Sequence, residues 1–193
     1  MQLKRLSQWM LPVIAAIAMP SAFAMDKYTV DDSHSYVGWQ ISHFGFSNPS
    51  GKWMATGTLE LDKDKPAASK ANITINVADI ITGLPKLDEH LKGEDFFDTA
   101  KYPTATFVSD KVTMTGKDTA KVAGMLTLHG VTKPVTLNVK LNKAAVSPIN
   151  HKMTAGFSAT ATLKRSDFGI NAYLPGLGDE VKLTIEVEAN KSA

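Results

Sequence analysis

The sequence predicts an all-β fold: an antiparallel barrel of about eight strands with a short capping helix, preceded by an export signal. Three observations carry the prediction. Apolar and polar residues alternate with period two in segment after segment, one alternating run is long for a sandwich strand, and helical character appears only once. A two-sheet sandwich is the competing arrangement of the same strands.

The chain has 193 residues, 44% of them apolar and 21% charged, with no cysteine. This composition excludes a disordered tail, a disulfide-stapled mini-domain and a collagen-like fibre. Met1-Gln2-Leu3-Lys4-Arg5 is a basic start, residues 9–19 are apolar, Pro20-Ser21 breaks the run, and Ala22-Phe23-Ala24 is a small-x-small signal. The apolar run falls short of the roughly 20 residues a spanning helix needs. Residues 1–24 are therefore expected to be a secretory signal peptide cleaved after Ala24, leaving one domain over 25–193. The 21 basic residues include Lys4 and Arg5, so removal of the signal balances the 19 acidic ones. A neutral chain with scattered lysines lacks the electrostatic footprint of nonspecific nucleic-acid binding. The absence of cysteine excludes thiolate metal sites and a Cys nucleophile. No later stretch is apolar enough for stable membrane insertion by a helix.

Along the chain, noisy alternation marks residues 37–43 and 55–61, and clean alternation marks 71–77, where Ala71, Ile73, Ile75 and Val77 share a face. Residues 104–109 and 120–128 alternate more weakly, and Val135, Leu137, Val139 and Leu141 resume the clean pattern. Residues 153–163 alternate throughout, and Val181, Leu183, Ile185 and Val187 form the last face. Turns are expected at Asn48-Pro49-Ser50-Gly51, at 62–66, at Gly116-Lys117-Asp118 and at Ser147-Pro148-Ile149-Asn150. Residues 84–98 break the alternation. Pro85 suits a first helical turn, Leu84, Leu87 and Leu91 share a helical face, and Gly93 can stop the helix, so a short helix or two should cap one end of the sheet.

Length and edges favour the barrel over the sandwich. Residues 153–163 would extend about 33 Å, or about 25 Å of barrel height at a tilt of about 40°. Closure also removes the edges that long apolar strands would expose. Several inward positions are small (Ala55, Gly57, Ala71, Ala155, Ala159, Ala161), which suits an open lumen. The competing expectation is a solid barrel in which Trp39, Phe107 and Phe157 fill the space.

Little points to catalysis. The five histidines (34, 43, 90, 129 and 151) show no His-x-His or His-x-x-x-His pair, which favours structural roles over a metal site. His34 and His43 are placed on one strand with opposite facing, and His43, in phase with Val37, Trp39 and Ile41, is the candidate for a lumen-mouth contact. Asp88, His90, Asp95 and Asp98 are expected to cap and solvate helix ends rather than transfer protons. Phe96 and Phe97 either close one end of the pore or form core beneath the helix. Arg165 has two readings. It neutralises a ligand head group at the pore mouth, or it pairs with Asp167 or a nearby acid to lock a bend before Gly169. No hydrolase elbow, phosphate loop, zinc-protease or dinucleotide motif occurs.

Several segments in order resemble the YceI-like family of exported bacterial proteins. They are Asp32-Ser33-His34-Ser35-Tyr36-Val37, His43-Phe44-Gly45, Asp88-Glu89-His90-Leu91 with Asp95-Phe96-Phe97-Asp98, and Tyr102-Pro103-Thr104-Ala105-Thr106-Phe107. The most specific are the run from Gly124 through His129-Gly130 to Lys133-Pro134-Val135, and Arg165-Ser166-Asp167-Phe168-Gly169-Ile170. The resemblance implies a lipocalin-like antiparallel barrel with an elongated apolar pore. It also implies a periplasmic location and a long isoprenoid, quinone-like lipid or similar amphiphile as ligand, with no cofactor. The family includes dimers, so a homodimer is compatible with it. Trp39 and Trp53 depart from the family pattern, where smaller residues or Phe are usual, and both bear on pore width. The expected lumen residues are Trp39, Ile41, His43, Phe96, Phe97, Phe107, Leu126, Phe157, Arg165 and Phe168. The expected function is a binding or carrier protein for such a lipid rather than an enzyme. The alternative is a ligand-free envelope stress or interaction protein with a packed barrel.

Overall fold

The structure is a computed structural model that describes residues 25–192; the expected signal peptide lies outside them. Ten strands form: β1 (Asp26–Val30), β2 (Tyr36–His43), β3 (Ser50–Met54), β4 (Thr56–Leu61), β5 (Lys70–Asn76), β6 (Thr104–Met114), β7 (Thr119–Leu128), β8 (Val131–Val146), β9 (Met153–Lys164) and β10 (Leu177–Lys191). One α-helix, α1 (Pro85–Lys92), lies between β5 and β6. β1 and β2 are two halves of one interrupted stave, and β3 and β4 are two halves of the next, split at the fully buried Ala55. The staves close as β1/β2, β3/β4, β5, β6, β7, β8, β9, β10 and back to β1/β2, with every pairing antiparallel. The result is an eight-stranded closed barrel with a short helix, as the alternation predicted.

Closure depends on β10, which pairs with β2 through Leu177–Glu186 and with β1 through Ala189–Lys191. Where the first stave breaks, Ser35 carries the ladder across. Its Oγ donates to the Glu188 carbonyl (3.1 Å) and accepts from the Glu188 N–H (3.0 Å), while its own carbonyl accepts from Ala55. Such a fully buried hydroxyl satisfies backbone groups that a break would otherwise strand.

Three differences from the sequence expectation have local causes. Alternation fades after Ser109 because Asp110 is a bulge residue: Ser109 pairs Gly124 and Lys111 pairs Ala123. Phe107 and Ser109 face inward before the bulge, Val112 and Met114 after it. A second bulge at Asn142 ends the pattern of β8 in the same way. The turn expected at residues 48–51 lies earlier, around a His43–Ser47 bridge, so Ser50 and Gly51 are already in β3. His34 is not on the strand of His43. It sits in the break between β1 and β2, where its Nδ1 meets Asp31 Oδ2 at 3.1 Å.

Pro85 occupies the first turn of α1 and Gly93 caps its end. The helix turns Leu91 inward and leaves Leu87 partly buried, but Leu84 precedes the first turn and is 61% exposed rather than sharing their face. Asp88 Oδ1 accepts from the Thr82 N–H (2.8 Å) and hydroxyl (2.5 Å), tying the segment before the helix to its first turn.

Candidate functional site

The inward faces of the staves do not fill the barrel. Two cavities, of about 550 Å³ and about 280 Å³, occupy its interior and share Leu183 as a lining residue. The larger lies within the roughly 300–1,000 Å³ range of small-molecule sites.

The smaller compartment is made by strand alternation. Leu59, Ile73, Val122, Leu137, Ile185 and Val187 supply aliphatic walls, and Ala55, Ala71 and Ala159 leave the space. Phe107, Leu126 and Phe157 line this compartment.

The larger compartment is made mostly by segments between strands. β2 contributes Trp39, Ile41 and His43. α1 and the turn after it contribute Leu91, Phe96 and Phe97. The segment between β9 and β10 contributes Arg165, Phe168 and Tyr173. Phe96 and Phe97 therefore belong both to a buried cluster and to the cavity wall, which joins the two alternatives drawn from the sequence. Phe97 meets Trp53 edge to face (centroids 5.2 Å, 86°), and Trp53 lies 6.2 Å from Trp39. Phe96 stands between His90 (5.0 Å) and Tyr173 (6.2 Å).

The two departures at Trp39 and Trp53 are accommodated by the wall. Trp53 Nε1 donates to the Val77 carbonyl at 3.0 Å. Trp39 lies across its cross-strand partner Gly51, where a Cβ would stand 2.6 Å from Trp39 Cζ2; only glycine leaves room for the indole.

Arg165 forms the rigid centre of the 165–177 segment. It is 6% exposed, and its Nε donates to the Gly178 carbonyl (2.8 Å), Nη1 to Ile170 (2.9 Å), and Nη2 to Ala172 (2.8 Å) and Leu177 (3.0 Å). The bend the sequence suggested is thus locked by carbonyls, not by a pairing with Asp167 or a nearby acid. A planar fork of five donors can gather carbonyls that no single ammonium would reach. Burial pushes the guanidinium below its ordinary value, and the charge of Asp179 opposes that shift. Asp179 accepts from the Ser166 N–H (3.0 Å) and hydroxyl (2.9 Å); the backbone N–H is the main cause holding its carboxyl below the usual range. Gly169 then reverses the chain at φ 77°, where other residues are strained. His129 Nδ1 faces the Phe168 carbonyl at 3.0 Å and must be the donor, pinning the same turn.

All ten residues proposed from sequence line one compartment or the other. Lining residues that sequence reasoning did not single out include two contrasting groups. Leu183, Ile185 and Val187 were visible on the apolar face of the last alternating run. Tyr173 and Phe44 sit in loops at φ 59° and 51° and follow no period. Among the described residues no three His, Asp or Glu side chains converge as a metal site, and no helix is long and apolar enough to cross a membrane.

The barrel has recognisable relatives. Protein YceI of Escherichia coli is 41% identical over 175 residues, covering 90% of this chain and 89% of the relative. The crystal structure of Burkholderia cenocepacia BcnA superposes with a TM-score of 0.75 at 26% identity, covering 83% of this chain and 99% of that one. A polyisoprenoid binding domain from Saccharophagus degradans, implicated in plant cell wall breakdown, shares the fold with a TM-score of 0.63 at 16% identity, covering 86% and 98%. The family model of the YceI-like domain matches residues 28–189, and the chain belongs to that family.

Proposed function

We propose that the protein is a carrier in the periplasm that sequesters a long-chain isoprenoid or similar amphiphile in its barrel. The observation that carries this reading is the lumen itself: two compartments, lined mostly by apolar side chains, that share Leu183 inside a closed barrel. The reading is supported by the fold shared with a domain named for polyisoprenoid binding. The N-terminal pattern of residues 1–24 supports export.

Burial of the tail is the driving force. Apolar surface removed from water gains about 25 cal/mol per Å², so a tail burying roughly 400 Å² gains up to about 10 kcal/mol before ordering costs. Few polar contacts are then needed for affinity, and those present serve to choose the head group. In this reading the barrel binds and releases its ligand without covalent chemistry, and Arg165, the charged group of the wall, is committed to four backbone carbonyls.

Native mass spectrometry on protein purified from the periplasm, with lipid analysis after denaturation, tests the reading. The expected result is a discrete added mass that disappears on unfolding. A clean apo mass, with no uptake of added isoprenoid or fatty amide, would move the protein to the class of envelope interaction proteins that carry no ligand.

A further inference from the structure

The two indoles of the larger compartment are bonded differently. Trp53 Nε1 has its acceptor in Val77. Trp39 Nε1 is buried and is, among the described residues, the one buried side-chain nitrogen or oxygen without a hydrogen-bond partner. Native structures satisfy roughly nine in ten buried polar groups or more, so an exception at a cavity wall calls for an occupant. Trp39 is 9% exposed and lines the cavity, with its ring fixed across Gly51. Its β10 partner is Leu183, and its neighbour on the same face of β2 is Ile41, so the flanking side chains offer no acceptor. Arg165, the charged group of the same wall, has only donors.

We propose that the Trp39 indole N–H is a specificity-determining donor for a carbonyl-type oxygen on the bound lipid. That oxygen would sit in the larger compartment and the tail would run past Leu183 into the smaller one. The inference rests on the carrier reading. Trp39, Trp53 and Phe97 give the larger compartment flat aromatic walls for an oxygen-bearing head group, whereas Ala55, Ala71 and Ala159 leave a narrower aliphatic channel beyond. His43 lies four residues from Trp39 on β2, about 13 Å at roughly 3.3 Å per residue, so the oxygen lies well inside the mouth. A hydrocarbon of the same length fills the lumen but leaves the donor stranded.

Two probes with one tail separate these contributions: a farnesyl-substituted 1,4-benzoquinone and farnesylbenzene. Binding of each is measured to the wild type, W39F and W53F. Loss of one neutral hydrogen bond should weaken the quinone about five- to tenfold in W39F and move farnesylbenzene less than twofold. W53F should shift both probes alike. Proton–nitrogen spectra of the wild-type chain give a readout that needs no stable variant. The Trp39 indole proton should move downfield with the quinone and not with farnesylbenzene, while Trp53 responds similarly to both. An unchanged quinone-to-hydrocarbon ratio in W39F, or a Trp39 proton indifferent to the quinone, overturns the assignment and leaves the carrier reading intact. Failure of both probes to bind the wild type removes the carrier reading, and this one with it.

Discussion

The two halves of the lumen are built by different means. The smaller compartment is walled mainly by ladder-paired staves, so its shape is held largely by backbone pairing. The larger owes much of its wall to a short helix and the 165–177 segment, and that segment is organised by one guanidinium. A ladder distributes its constraints over many weak bonds. The loop-built wall concentrates them in a few buried groups, so single substitutions should act unequally on the two.

The largest expected effect is at Arg165. Arg165→Met keeps the apolar stem but removes the donors of four carbonyls, and each buried acceptor left bare costs about 1–3 kcal/mol. A loss of at least about 3 kcal/mol in denaturant-unfolding stability is expected; a loss under about 1 kcal/mol would mean the loop wall does not depend on Arg165. Next is Ala159→Trp in the smaller compartment. It should cut lipid uptake tenfold or more while the ladder holds the barrel, at an overpacking cost of about 1–3 kcal/mol. Unchanged bound lipid by native mass spectrometry would take the tail out of that compartment.

Gly51→Ala should fall just below. The new Cβ meets the Trp39 ring and must displace it, at about 1–2 kcal/mol, whereas Gly156→Ala, with its nearest neighbour at 3.9 Å, should stay within about 0.5 kcal/mol. Equal unfolding midpoints for the two variants would contradict the close packing of Trp39 on Gly51.

The smallest effect lies outside both compartments. Ser33 and His34 hold the Asp31 carboxyl below its ordinary value, and the hydrogen bond that the His34 N–H donates to Asp31, with the carboxylate's charge, raises the His34 imidazole above its own. A lowered carboxylate contributes stability above about 3.8 and loses it as the pH falls through the folded value. A raised imidazole contributes below about 6.5 and loses it as the pH rises through the folded value. The pair is therefore fully effective only between those limits. Melting temperatures of the wild type and H34Q should differ slightly between about pH 4 and 6.5 and converge above neutrality. A difference that grows at alkaline pH would reverse this assignment.

The same division explains how much was legible in the sequence. Period two is a backbone property, so Ile73, Leu137, Phe157 and Leu183 announced their facing without tertiary information. The signal failed where one residue breaks the period, as at Asp110 and Asn142, and the inward turn of Val112 and Met114 was hidden with it. In the loop-built wall no period exists. Arg165 stood out after a long strand and before a Gly169 bend, and it and Phe168 lie in a segment that carries the family resemblance. The actual partners of Arg165 were beyond sequence reasoning because carbonyls belong to every residue and leave no mark in side-chain identity. Gly51 read as a turn residue, and its use as a seat for Trp39 needs the β2–β3 register.

The seam of the barrel has a kinetic consequence. Tyr28 pairs with Lys191 and Val30 with Ala189, so the first strand waits for the last before the cylinder can shut. Contacts so distant along the chain form slowly, because the loop between them must be closed before they reward it. Until then the lining of the future lumen is an open apolar trough with two bare edges, the form most prone to self-association. The protein's most vulnerable moment thus comes during its own maturation, and a helper that shields the trough, or a lipid already seated in it, would shorten that interval.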